Sequence, residues 1–217
     1  MSVTYVLTDK ENAPAKVFGG AYYTDVWMQK RWRDGEYAQY INKNGCGHCC
    51  VAMALSLNGV SITPHEEFAL CRKMWGEPKE GEEGNFLSVS GIVKVIKSFG
   101  IAAEYFGVKN GGQMRAAEHI ESVLSKGRQV IIWSHPTESF KENPFSKREH
   151  YVLAAGIDES GKILIANTSE YAFRVHGVHL TDRITISRVL YEGSQPQDFT
   201  WGRIGKHEHN AGYVVVG

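Results

Sequence analysis

Residues 44–57 place three thiols at the start of an apolar run: Asn44-Gly45-Cys46-Gly47-His48-Cys49-Cys50 leads directly into Val51-Ala52-Met53-Ala54-Leu55-Ser56-Leu57. The run is apolar nearly all round, the pattern of a helix buried inside a domain. A thiolate where such a helix begins faces backbone N–H groups that lack intrahelical partners and the positive end of the macrodipole, and both favour the anion. Nucleophilic chemistry at Cys46 is the functional reading. Two others compete with it. Cysteine is among the most buried residue types, so three core thiols would need no function. The glycines on both sides of Cys46 speak against this, because a group that a substrate backbone approaches closely gains from both. The cluster could instead hold a metal through Cys46, His48, Cys49 and Cys50, joined by Cys71 or His65. Structural zinc sites pair two short ligand knuckles, and the chain has no second Cys-x-x-Cys or His-x-x-x-His, so no metal is expected.

A cysteine nucleophile needs a base beside it and a third group that holds the base in the right tautomer. His150 is the best base: a polar residue opening the otherwise apolar stretch His150-Tyr151-Val152-Leu153-Ala154-Ala155-Gly156-Ile157, directly after a long polar loop. The alternative is an edge histidine without a role. Asp158-Glu159-Ser160-Gly161 reads as a turn, and residues 162–167 as the returning strand, ending at Asn167. If Ile157 stands opposite Lys162, Val152 faces Asn167, and His150 and Asn167 become diagonal neighbours ~7–8 Å apart on one face. Asn167 would then orient His150; otherwise it is an ordinary residue of a strand end. A shift of register by one residue would separate the two.

The elements that must position these groups follow from the punctuation of the chain. The thiol-bearing helix spans residues 46–57 and stops at Asn58-Gly59. Thr63-Pro64-His65-Glu66 supplies the cap, the first-turn proline and the capping-box glutamate of a second helix reaching Trp75. Residues 76–84, rich in Glu and Gly, read as a solvated loop. Ser88 or Ser90 caps a helix over 92–99, ended by Gly100, and a strand over 101–106 follows. A helix over 113–125 leads into a short buried strand over 129–133, and residues 134–149 form a long loop of the kind that often carries function. A short helix is expected near 184–191 and a terminal strand over 213–216. At the N-terminus, residues 3–7 read as an edge strand, and the aromatic-dense residues 21–39 as an irregular segment pinned down by its rings. Helices followed by an antiparallel sheet make an α+β order. The expected layout is an extension or edge strand over 1–20 and a single domain over 21–217.

Composition narrows the partners. With 217 residues and 42% apolar content the chain builds a real core, and Lys plus Arg equals Asp plus Glu at 24 each. There is no basic field for a phosphate backbone, so nucleic acid is not an expected partner. No run approaches the ~18 apolar residues of a membrane span, and residues 1–10 lack the pattern of a signal peptide. A cytoplasmic protein that does not enter the membrane is the expectation. Four cysteines, three of them on one helical turn, make a poor disulfide framework, so reduced thiols are expected.

Gly45-Cys46-Gly47-His48 with Ala52-Met53 and Asn58-Gly59, then Thr63-Pro64, then His150-Tyr151-Val152 and Gly156 with Asn167 downstream, resembles the C39-like peptidases. These are papain-fold proteins related to the double-glycine peptidase domains of bacteriocin exporters. The match spans about residues 27–169. It implies a papain-like α+β domain in which Cys46 is the nucleophile, His150 the base and Asn167 the orienting residue, with a peptide or protein substrate and no cofactor. The family pattern has a proline where His48 stands, a glycine where Glu149 stands and an acid where Asn167 stands. Papain itself orients its histidine with Asn. Papain-like enzymes also place an oxyanion Gln six residues before the nucleophile. That position is Tyr40 here, so Gln39, one residue back, is the candidate, with the Cys46 backbone N–H as the second donor. A papain register would put the nucleophile at Cys49, but Cys50 then stands where an aromatic belongs and Lys43 where Gln belongs. Hydrolysis of peptide bonds through a thioester is the implied activity. Acyl transfer to an amine or thiol, as in the related phytochelatin synthases, uses the same residues, and a catalytically silent peptide-binding module is the reading from another class. Exporter peptidases of the resembled family cut after a double glycine, which makes Gly19-Gly20 a candidate self-processing site.

Overall fold

The computed structural model describes residues 15–16, 22–23, 40–41, 44–76, 87–108, 113–134, 150–157, 163–166 and 212–217. A small antiparallel ribbon, β1 (Ala15–Lys16) with β2 (Tyr22–Tyr23), straddles the boundary expected between residues 20 and 21. Four helices follow among the described residues: α1 (Cys46–Leu57), α2 (Pro64–Trp75), α3 (Val89–Ser98) and α4 (Gln113–Leu124). The strands β3 (Ala103–Gly107), β4 (Gln129–Ser134), β5 (His150–Ile157), β6 (Ile163–Ala166) and β7 (Gly212–Val216) form one sheet in the order β3-β7-β4-β5-β6, with every pair antiparallel. The α+β class expected from the element order is the class observed.

Consecutive buried residues explain the layering. Val130 to Ile132 in β4, Val152 to Gly156 in β5 and all of β7 are buried, so these central strands are covered on both faces and need apolar side chains in unbroken runs. α1 and α4 both pack on β4 and β5, while α3 packs on β3 and β7. α1 is the most deeply set, with Gly47 through Leu55 all buried. Truncating a fully enclosed side chain such as Leu55 to Ala would cost about 2–5 kcal/mol.

Local rules set the helix ends. Thr63 caps α2 with a complete capping box: its hydroxyl accepts from Glu66 N at 3.3 Å, and Glu66 Oε2 accepts from Thr63 N at 2.8 Å. Ser88, not Ser90, caps α3. The C-terminal end of α1 is tied to the sheet by Asn58. Its Nδ2 donates to Ala54 O at 2.8 Å and to Gln129 Oε1 at 2.7 Å, at the start of β4.

The β5–β6 pairing corrects one expectation and keeps another. Ile157 stands opposite Ile163 rather than Lys162, but an irregularity between Ala154 and Gly156 absorbs one residue. Beyond it the partners are Ala154 with Ile165 and Leu153 with Ala166, the register the sequence argument needed at the His150 end. Asn167, Gln39, Gly19-Gly20, the expected strand over 3–7 and the expected helix over 184–191 lie outside the described residues.

Candidate active site

Cys46 is the first residue of α1 and is half-buried, while Cys49 and Cys50 have no exposed surface. No disulfide joins any of the four cysteines. Gly45 caps α1 without a side-chain hydrogen bond, and no acidic residue sits in the first turn. The positive end of this helix is therefore not neutralised by its own first turn, which leaves it to act on an anion placed there. Burial pushes the Cys49 thiol well above its ordinary range, and the neighbouring Cys46 and Glu67 add to this. Burial acts on Cys50 the same way, reinforced by Cys46 and Cys49.

Of the glycines around Cys46, Gly45 has a packing reason that the sequence did not reveal. A Cβ on Gly45 would lie 2.4 Å from the Ile41 carbonyl oxygen, because Gly45 N donates to that same carbonyl at 3.0 Å and brings the preceding turn onto the helix start. A Cβ on Gly47 would lie 3.4 Å from Leu87 Cβ and 3.4 Å from Tyr151 Cδ2. Close approach to a substrate is thus not needed to explain Gly45, whereas the space around Gly47 would accept a methyl group. The Gly47 contact has a consequence for chemistry, since Gly47 follows Cys46 and Tyr151 follows His150. The N-terminal end of α1 and the first residues of β5 meet there.

His150 opens β5 opposite Ser134 and is 4% exposed. Tyr151 is held by stacking on Trp133, with ring centroids 5.9 Å apart, and its hydroxyl donates to Leu87 O at 3.4 Å. The half-buried thiol and the buried imidazole thus sit at the starts of two elements that pack on each other. Tyr40, weighed for the oxyanion position, stacks its ring on Phe68 of α2 at 5.6 Å.

A second group of polar residues lies between α1 and α2. His48, 1% exposed, bonds through Nδ1 to Glu67 Oε2 at 2.5 Å, and Cys71 Sγ donates to Glu67 Oε1 at 3.1 Å. Glu67 has no exposed surface. Burial pushes the Cys71 thiol far up, and the charge and hydrogen bond of Glu67 push it further. One ligand atom from each of His48, Glu67 and Cys71 lies within 4.8 Å of the others, a donor set that could take a metal ion. The metal alternative weighed for the thiol cluster shares His48 and Cys71 with this group; Cys46, Cys49, Cys50 and His65 are not part of it. His48 Nε2 is buried with no hydrogen-bond partner. Sequence reasoning overlooked Glu67, although a signal existed. Pro64, Glu67, Phe68 and Cys71 follow one helical face, and all four are buried, so a carboxylate stands inside an apolar stripe.

A comparison with curated proteins gives no match. A family model described as the Peptidase_C39 like family matches residues 23–196 of the 217, a span that contains Cys46, His150 and Asn167. The chain belongs to that C39-like family.

Proposed function

We propose that the protein is a cysteine peptidase acting through Cys46, His150 and Asn167. The observation that supports this most is the meeting of Gly47 and Tyr151, which sets the start of α1 beside the start of β5. The Cys46 thiolate attacks the scissile carbonyl, the amine leaves with a proton from His150, and water then hydrolyses the thioester with His150 as base. Asn167 orients the imidazole. Gln39 and the Cys46 backbone N–H hold the oxyanion. Membership of a C39-like family supports a peptide or protein substrate.

The test is a cleavage profile of the full chain against a peptide library, repeated with Cys46→Ala and His150→Ala. Turnover by the parent and its loss in both variants is the expected result. Turnover in His150→Ala within about tenfold of the parent overturns the assignment of the base, since general acid–base catalysis contributes at least ~10²-fold. Products extended by an added amine or thiol, in place of hydrolysis, would make the protein an acyltransferase with the same residues.

A further inference from the structure

Glu67 and Cys71 stand four residues apart on α2, so both side chains leave one face of that helix, and His48 meets them from the first turn of α1. Glu67 Oε2 lies 2.5 Å from His48 Nδ1, and Glu67 Oε1 accepts from Cys71 Sγ at 3.1 Å. Taken one from each residue, a ring nitrogen, a carboxylate oxygen and a sulfur all lie within 4.8 Å of one another. Glu67 and Cys71 have no exposed surface, and His48 is 1% exposed. Hydrogen bonds alone leave the group incomplete, because His48 Nε2 is buried without a partner. The peptidase mechanism uses none of the three residues.

We propose that His48, Glu67 and Cys71 bind a zinc ion that clamps the start of α1 to α2. The donor types select the metal. Imidazole nitrogen, carboxylate oxygen and thiolate sulfur together suit zinc, whereas calcium and magnesium take oxygen ligands. The spacing fits as well. Zinc bonds of ~2.0–2.3 Å in a tetrahedral arrangement set the ligand atoms about 3.3–3.6 Å from one another. The contacts at 2.5 and 3.1 Å reach that spacing by opening less than about 1 Å, and no ligand atom starts more than 4.8 Å from another. Carboxylate and thiolate balance the two positive charges of the ion, so the occupied site brings no net charge into the interior. The Cys71 proton leaves to solvent as the ion binds.

The surroundings suit a fixed site. The Phe68 ring packs on the His48 imidazole with centroids 4.7 Å apart, and Tyr40 stacks on Phe68 at 5.6 Å, so an apolar shell holds the imidazole in place. With three ligands from the protein, water completes the tetrahedron. Burial keeps a peptide from the ion, so its part is structural and separate from the attack by Cys46. Spacing rules for zinc look for paired Cys and His knuckles. Here the second pair is Glu67 with Cys71 on one helical face, which is why the sequence pattern led to an expectation of no metal.

The experiment strips the full chain with a strong chelator under a phosphine reductant, then titrates it with cobalt(II) and with zinc. Cobalt should saturate at one ion per chain with the intense visible bands of a tetrahedral site and a sulfur-to-cobalt charge-transfer band from a single thiolate. Zinc should displace the cobalt and raise the melting temperature of the stripped chain. Cys71→Ser should lose the charge-transfer band, and Glu67→Gln should weaken zinc binding by more than the roughly 10–100-fold that loss of a supporting residue costs. No saturable binding, or the weak spectrum of a six-coordinate ion, overturns the proposal. If Cys71→Ser does not fold, the other cysteines decide: the band must survive in each of Cys46→Ala, Cys49→Ala and Cys50→Ala, and its loss in any of them assigns the ion to that thiol and overturns the proposal. None of these readouts depends on turnover, so a chain that binds zinc as described but cleaves no peptide would sink the peptidase reading alone.

Discussion

Cys46, Cys49 and Cys50 share one helical turn yet differ as acids because of where each points. Cys49 and Cys50 are enclosed, and burial holds them protonated far above neutral pH, while Cys46 reaches the surface at the end of the helix dipole. The buried group around Glu67 is governed by the same cost. A carboxylate with no exposed surface persists because His48 and Cys71 both bond to it. Glu67→Ala would leave the His48 and Cys71 groups unsatisfied, and we expect a loss of about 1–3 kcal/mol in urea unfolding. Glu67→Gln keeps an acceptor and should lose less. Equal stability of the alanine variant and the parent would show that the network holds nothing together.

At the scale of elements, α1 is fixed at both ends, and the two glycines flanking Cys46 separate steric from chemical roles. Gly45→Ala forces a Cβ to 2.4 Å from the Ile41 carbonyl oxygen, which is backbone and cannot move aside cheaply. It should destabilise the fold by roughly 1–3 kcal/mol, as overpacking does. Gly47→Ala meets its neighbours at 3.4 Å and gains helix propensity of about 1 kcal/mol, so its melting temperature should stay close to the parent's. The reverse order of the two stabilities would contradict this account of the helix start. Thr63→Ala should cost about 1 kcal/mol through loss of the α2 cap. The Thr63 backbone N–H and hydroxyl hold the Glu66 carboxyl below its ordinary 4.5. That contribution is present above the unfolded-state pKa and is lost as pH falls through the folded one, so the difference between parent and Thr63→Ala should narrow under acid conditions. Because Glu66 is largely exposed, solvent screening keeps this part small. Unfolding curves at neutral and acid pH check it.

For the whole molecule, local grammar was legible and distant pairing was not. The ends of α1 and α2 were readable because Asn58-Gly59 and Thr63-Pro64 act on adjacent backbone, and the apolar runs marked β4, β5 and β7. The placing of β7 between β3 and β4 was not readable, since nothing local to a terminal strand says which distant strands it pairs with. The irregularity between Ala154 and Gly156 did have a signal, a glycine inside an otherwise apolar strand, which the register argument left unused. Of the candidate site, Cys46 and His150 stood out as polar groups opening apolar elements, while Glu67 was hidden by the capping box one residue before it. No helix among the described residues is long and apolar enough to cross a membrane. The peptidase reading predicts a bell-shaped pH–rate profile, rising as the thiolate–imidazolium pair forms and falling as the imidazolium loses its proton. It also predicts that dialysis against a strong chelator leaves turnover unchanged; loss of activity restored by zinc would give a metal ion a part in the reaction. The central claim is that Cys46 is the nucleophile and His150 its base. Sub-stoichiometric iodoacetamide near neutral pH, followed by peptide mapping in the parent and in His150→Ala, tests it most directly. The account predicts label on Cys46 alone and a marked slowing of that labelling in His150→Ala. Preferential label on Cys49, or an unchanged rate without His150, would contradict it.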